Sequence, residues 1–259
     1  MRNIKGVSAI ELAGILNNNL DFVLEQYVLN EYKICIKPLY KFETAYIATI
    51  NPNEFILIYC EADDPEETFI SINSESPEFE NFCKYIITDY PYKNFIFHGE
   101  KNKFSEFPGE YKESFYFNEK IKKQTDLTLD FKLLTQGDNE LTQSFNSDEN
   151  SYFSALFGDF VQRKIYYDCG IIGAFNQNEF IGYCAYYEIT KNIRDISYIY
   201  IDEKFRGIGC GKELLNFYIN KNIEDNKISY YSYAENEISG QLVKSCGFSA
   251  CAKRYETSS

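Results

Sequence analysis

Apolar and polar positions along this 259-residue chain follow two periods, and the switches between them mark out the elements. Ile10, Ala13, Leu16, Leu20 and Val23 recur at helical spacing and predict an amphipathic opening helix. Strand-like runs follow at Ala45–Ile50 and Phe55–Tyr59. The acidic stretch Asp63–Glu67 contains Pro65 and is expected to be a solvated loop. Phe79–Ile87 has a helical pattern and Asn94–His98 a strand pattern. These elements make a small α/β N-terminal domain, residues 1–126, without a glycine-rich phosphate loop.

Glu119–Asp126 is polar and charged and is the best linker candidate. Beyond it, residues 127–259 are expected to form a second domain. Leu127–Leu134 predicts a strand and Asp138–Phe145 a helix. Gly170–Phe175 and Phe180–Ile189 predict a hairpin about the turn-rich triplet Asn176-Gln177-Asn178. Strands are expected at Arg194–Ile201, Ile228–Tyr233 and Phe248–Tyr255.

The densest chemistry lies between a strand and a helix. The run Ile196–Ile201 leads into Arg206-Gly207-Ile208-Gly209-Cys210-Gly211-Lys212, and a helix-like run follows at Glu213–Ile219. Glycines let backbone amides approach an anion closely, and a helix N-terminus adds open N–H groups and partial positive charge. Arg206 and Lys212 bracket the turn and can add charge-assisted contacts. A phosphorylated cofactor is the ligand this pattern predicts. A Walker loop is excluded, because Arg206 and Glu213 occupy positions that need Gly and Ser or Thr. The dinucleotide fingerprint fits poorly, because the glycines here are spaced G-x-G-x-G, deep in the C-terminal half.

The segment Asp202–Gly211 resembles the acyl-CoA signature of the GNAT acyltransferase superfamily: an Arg or Gln, two residues, Gly, one residue, then Gly or Ala. Arg206, Gly209 and Gly211 match it. Asn236–Phe248 is similar to the last helix of that superfamily, with an Asn cap, a small residue three positions on (Ser239) and a Gly-Phe close. The resemblance covers about half the chain, from roughly Leu127 onward. It implies an α/β (α+β) fold, a GNAT-type mixed sheet flanked by helices. Some GNAT proteins are tandem, so the N-terminal domain could be a degenerate acyltransferase-like repeat.

The resemblance further implies acetyl-CoA as cofactor, with direct N-acetyl transfer to a primary amine of a small molecule or an amino-terminal group. Pantetheine would pair with the main chain of Tyr200 and Ile201. Arg206, Gly207, Ile208, Gly209, Cys210, Gly211 and Lys212 would hold the pyrophosphate region, with further cofactor contacts from Asn236 and Ser239. Asp195 is the candidate base, where many family members carry a Glu. The alternative for it is a surface carboxylate paired with Arg194 or Lys191. Many members have a tyrosine as general acid where this chain has Val243. Tyr231 or Tyr233 could substitute. That departure keeps a second possibility open, a non-catalytic acyl-CoA-binding or regulatory module.

Composition trims the alternatives. Net charge is −13, spread as 13 basic and 20 acidic residues to Thr125 and 13 and 19 beyond it. Neither half offers the basic face that nucleic acid requires. An acidic surface favours cationic substrates by steering, or serves solubility alone. The 23 Tyr and 22 Phe, with no Trp, are expected to reflect AT-rich coding rather than a binding surface. The 8 cysteines include no C-x-x-C, and there is one His, so no zinc site is expected. Cys210 and Cys246 are expected to be packing residues, and His98 a structural one. Reduced thiols, no apparent signal peptide and no apolar run near ~20 residues lead to the expectation of a cytoplasmic protein without membrane contact. A homodimer is left open.

Overall fold

The computed structural model describes residues 46–51, 54–60, 68–73, 93–98, 110–120, 122–123, 128–135, 147–163, 169–231 and 237–258, with Gly14, Leu16, Asp138 and Leu141. The chain divides into two compact units, Met1–Glu113 with Cys251–Ser259, and Ser114–Ala250. The sequence expectation places one division at 126/127.

The first unit contains β1 (Tyr46–Asn51), β2 (Glu54–Cys60), β3 (Thr68–Asn73) and β4 (Lys93–His98). β1, β2 and β3 pair antiparallel in sequence, and β3 pairs parallel with β4. Strands are thus found where the apolar runs at 45–50, 55–59 and 94–98 placed them, and β3 is additional. Gly14 and Leu16 are helical, as expected, and Leu16 is buried. The rest of the opening helix and the helix expected at Phe79–Ile87 lie outside the described residues.

The second unit is a mixed sheet flanked by helices. Its strands are β5 (Glu110–Phe117, from Ser114 on), β6 (Asp130–Leu133), β7 (Cys169–Asn176), β8 (Glu179–Thr190), β9 (Ile193–Ile201) and β10 (Ile228–Tyr231). They lie in the order β5-β10-β9-β8-β7-β6. Only β9 and β10 run parallel; the other neighbours are antiparallel. Helices α1 (Ser147–Arg163), α2 (Cys210–Glu224) and α3 (Glu237–Ser245) complete it.

Successive residues of a strand point to opposite faces, so β7 and β8 feed two cores. Ile172, Ala174, Cys184 and Tyr186 pack with Leu214, Leu215, Tyr218 and Ile219 of α2 and Val243 of α3. Cys169, Ile171, Tyr183 and Ala185 pack with Phe153 and Phe157 of α1. Burial on both faces explains why these strands read as near-continuous apolar runs. The sequence expectation did not locate α1, although Phe153, Leu156 and Phe157 carry its helical spacing. In the helix expected at Asp138–Phe145, Asp138 and Leu141 lie in tight helical turns and the other residues fall outside the description.

The last strand, β11 (Ser249–Ser258), matches the expected run, and its described register is with β4 of the first unit. Arg254 to Ser258 pair with His98 to Asn94 of β4. In the second unit, Phe115 to Phe117 pair with Tyr231 to Ser229 instead. Phe115 and Phe117 are buried there. Each unit's sheet therefore includes a strand drawn from the other half of the sequence.

A buried polar knot joins α2 to the start of β9 and β10. Arg194 Nη1 donates to Asn222 Oδ1 at 3.1 Å and to Asp225 Oδ2 at 2.5 Å. Asn222 Nδ2 donates to Ser229 Oγ at 2.8 Å, and the Tyr218 hydroxyl to the Arg194 carbonyl at 2.9 Å. Burial pushes the Asp225 carboxyl up, but the hydrogen bond and charge of Arg194, aided by Lys221, leave it below the usual carboxylate range. A lowered carboxylate contributes stability above its ordinary range and loses it as pH falls through its folded value. Asp225→Asn should therefore lower the denaturation midpoint at pH 7. The difference from the unaltered chain should shrink below about pH 4 as Asp225 protonates, near the ordinary Asp range. Urea melts at pH 7 and pH 3 check this; an equal difference at both would remove the ion pair from the account.

Candidate active site

The site begins with a mismatch of strand lengths. β8 follows β9 from Thr190↔Ile193 to Gly182↔Ile201. Among the described residues, β10 pairs with β9 at Ile193, Arg194 and Asp195. Among the described residues, the edge from Ile196 to Ile201 has no β10 partner. A bulge sits at the parting, since Tyr198 faces Ala185 and Ile196 faces Tyr186, leaving Ser197 as the extra residue. The strands splay around a cleft of about 1110 Å³, lined along β9 from Asp195 to Ile201.

At the end of β9 the chain turns into α2. Asp202 accepts from the Lys204 amide at 3.0 Å and caps the short turn Glu203–Phe205. Gly207 has φ 77° and Gly209, the N-cap of α2, has φ 99°. A Cβ at Gly209 would meet no atom within 4 Å, so the backbone angle requires glycine while the space beside it stays open. The first-turn amides of α2, at Cys210 and Gly211, are donors a helix leaves without intrahelical acceptors. Gly207, Gly209, Gly211 and Lys212 all line the cleft.

Arg206 serves the architecture of the turn. Its Nε donates to the Ile201 carbonyl at 2.8 Å, and its guanidinium stands 5.3 Å from the Tyr200 ring centre. Glu213, at the position where a Walker loop carries a hydroxyl, is turned to β6: it accepts from the Thr128 amide (2.7 Å), the Thr128 hydroxyl (2.8 Å) and the Leu129 amide (3.1 Å).

The structure gathers most residues singled out in the sequence. Asp195, Tyr200, Ile201, Arg206, Gly207, Gly209, Gly211, Lys212, Tyr231 and Ser239 all line the cleft. Ile208 is 72% exposed at the tip of the turn and does not line it. Cys210 is buried beneath the turn, in the core with Cys246. Burial pushes both thiols up, with the Glu213 charge adding to the effect at Cys210, so neither is an activated nucleophile. Asn236 and Tyr233 lie outside the described residues.

Asp195 is 1% exposed at the vertex of the splay, opposite Tyr230 of β10. The surface-carboxylate alternative is thereby corrected, and the Arg194 guanidinium is committed to Asn222 and Asp225. Val243 is buried in the core.

One group was missed in the sequence. Glu149 of α1 is buried, accepting from the Tyr183 hydroxyl at 2.6 Å and the Tyr198 hydroxyl at 3.3 Å. Tyr198 lines the cleft and Tyr152 lies against it, ring centres 4.6 Å apart. The available signal was Tyr198 and Tyr200 at strand spacing just before the glycine turn.

Residues 136–248 match the Acetyltransferase (GNAT) family. Among solved structures, the chain is similar to a GCN5-related N-acetyltransferase from Sphaerobacter thermophilus, with TM-score 0.62, 10% identity and coverage of 98% of this chain and 94% of that one. It is also similar to a tandem GNAT protein from the clavulanic acid biosynthesis pathway, with TM-score 0.60, 7% identity and coverage of 98% and 97%. A Drosophila protein gives TM-score 0.60 at 11% identity, covering 98% and 97%. No curated protein matches the chain. These likenesses carry the fold, over both halves, and the tandem protein agrees with an acyltransferase-like repeat at the N-terminus. Among the described residues, no helix is long and apolar enough to cross a membrane, and no group of three or more His, Cys, Asp or Glu could hold a metal ion.

Gly209→Val tests the turn. A β-branched residue at φ 99° is strained by about 1–3 kcal/mol and sets methyl groups in the open space. The variant should fold with a lowered melting temperature and lose the stabilisation that CoA gives the unaltered chain. Unchanged CoA stabilisation would make the turn purely structural.

Proposed function

Residues 136–248 match the Acetyltransferase (GNAT) family, and from that match we infer that the chain transfers an acetyl group from acetyl-CoA to a primary amine of a small molecule or an amino-terminal group. The observation that carries this is the β9 edge from Ile196 to Ile201, without a β10 partner among the described residues and running straight into a glycine turn at a helix N-terminus. An extended pantetheine arm suits such an edge, because it can pair with the strand as an added strand would. Ile201 turns its amide to that open edge and is the pairing group, whereas the Tyr200 main chain is turned to β8, since Asp202, two residues on, donates its N–H to the Ile181 carbonyl. The pyrophosphate suits the turn, where Gly207 and Gly209 leave open space, α2 presents its first amides and Lys212 faces the cleft.

Acetyl-CoA held there would supply the acetyl group as a thioester and leave as the free thiol. Asp195, at the vertex, accepts the proton that the amine nitrogen loses as the N–C bond forms and the C–S bond breaks. Tyr231, the β10 tyrosine in the cleft, supplies the proton to the departing sulfur. With Val243 in the core, α3 contributes no donor at that position.

Saturating CoA should raise the melting temperature, equivalent to about 2.7 kcal/mol at a hundredfold excess over Kd. Thiol release from acetyl-CoA across a panel of amines measures turnover. Asp195→Asn should lower that rate by on the order of 10²–10⁴ at neutral pH, and by less as pH approaches the pKa of the amine. An equal loss at every pH would make Asp195 a positioning group. CoA binding without turnover on any amine would make the chain an acyl-CoA-binding module.

A further inference from the structure

The cleft has a second wall that the acyl-CoA signature does not use. On one face of β9, Tyr198 and Tyr200 both line the cleft. Tyr183 of β8 stands behind them, its ring centre 5.8 Å from that of Tyr198 and 6.0 Å from that of Tyr200. Tyr152 of α1 adds a ring 4.6 Å from Tyr198. Behind Tyr198 is the Glu149 carboxylate, 8% exposed.

The hydrogen bonds fix the polarity of this wall. A carboxylate only accepts, so the Tyr183 and Tyr198 hydroxyls donate to Glu149. A phenol has one proton. With that proton directed at Glu149, the Tyr198 oxygen has only lone pairs to offer elsewhere. Burial and the Glu149 charge push the Tyr198 phenol above its ordinary value, which keeps its proton in place. Tyr198 is thus an acceptor beside the cleft and unsuited to protonate a leaving group. Ring faces attract cations, Tyr among them, and a buried carboxylate behind the rings adds charge of the same sense.

Resting on the acyl-transfer function inferred above, we propose that Tyr198, backed by Glu149 and walled by Tyr152 and Tyr200, is the subsite that receives the acceptor as a cationic primary ammonium group. Tyr198 accepts an N–H of that group. Glu149 is a positioning residue: it orients the Tyr198 proton and supplies counter-charge through it. The acceptor class is therefore a small molecule or chain terminus that carries a protonated primary amine when it docks. Groups of equal shape without charge are discriminated against. Asp195, at the vertex of the splay, is separate from this wall: the docked ammonium first gives one proton to water in the open cleft, and Asp195 then accepts the second as the N–C bond forms.

The test is a calorimetric titration of matched pairs, n-butylamine against n-butanol and tyramine against tyrosol, at neutral pH. The full chain is used with and without saturating CoA. At least one amine should bind tenfold or more tightly than its alcohol. Tyr198→Phe keeps the ring and loses the acceptor oxygen, so the amine-to-alcohol ratio should fall about tenfold, the worth of one hydrogen bond to a charged group. Glu149→Gln keeps the size and a hydrogen-bond acceptor and removes the charge, and should bring the ratio near one. A general loss of packing would weaken amine and alcohol alike and leave the ratio unchanged. If Glu149→Gln does not fold, the ratio in the unaltered chain and its change in Tyr198→Phe still decide. Equal binding of amine and alcohol, no binding of either amine, or a ratio unmoved by Tyr198→Phe overturns the subsite. Failure of CoA to bind, with the amine preference intact in the CoA-free chain, overturns the acyl-CoA function instead and leaves the ammonium subsite standing.

Discussion

The site depends on β9 and β10 being held together at one end only. Parallel strands pair as far as both backbones run alongside each other, and among the described residues the pairing stops at Asp195↔Tyr230. A buried arginine fixes where it stops. Arg194 is one residue before the vertex, and its side chain is tied to Asn222 and Asp225 at the C-terminal end of α2. Ser229 on β10 is bonded to the same Asn222. One helix therefore grips both strands just before they part. A charge with 5% side-chain exposure would be costly to leave alone, and pairing it makes this corner a fixed reference for the cleft beyond.

The same helix governs the other end of β9. α2 begins at Gly209, with φ 99°, and its first turn lies beside the end of the splayed edge. Arg206 holds the Ile201 carbonyl, and Glu213 holds the start of β6 through three hydrogen bonds. The charged residues of the turn are thus divided. Glu213 is occupied with protein groups, while Arg206, anchored through its Nε, and Lys212 both line the cleft with the glycines of the turn. Backbone dipoles and two cations at one helix N-terminus suit an anion there with little rearrangement.

Much of this was legible in the chain because it is local. Strand, glycine turn and helix are contiguous between Ile196 and Ile219, and backbone preferences suffice to place them. The hairpin about Asn176–Asn178 was legible for the same reason: Gln177 and Asn178 take φ 49° and 70° in the turn between β7 and β8. The strand exchange was not. Nothing in the run Ser249–Ser258 says that its partner is β4 rather than β10, because a strand's pattern encodes which face is buried but not which edge it pairs with. Glu149 was illegible for a related reason. A glutamate near the start of a helix usually marks a solvated first turn, and only tertiary packing reveals that two tyrosine hydroxyls converge on it.

Those tyrosines also qualify what composition can say. A chain with 23 of them gives no reason to single out any one. Position makes the distinction. Tyr183 is fully buried and its hydroxyl is consumed by Glu149. Tyr218 is equally buried and its hydroxyl is consumed by the Arg194 carbonyl. Tyr198 shares the carboxylate with Tyr183 but lies at the cleft, so its remaining lone pairs are the ones a ligand can meet. The bulge at Ser197 sets this arrangement. The extra residue brings Tyr198, rather than Ser197, opposite Ala185 and onto the face that carries Tyr183. A buried carboxylate at the vertex and a tyrosine hydroxyl bonded to a second carboxylate beyond it then lie along one strand, separated by a change of register that no side chain alone could provide.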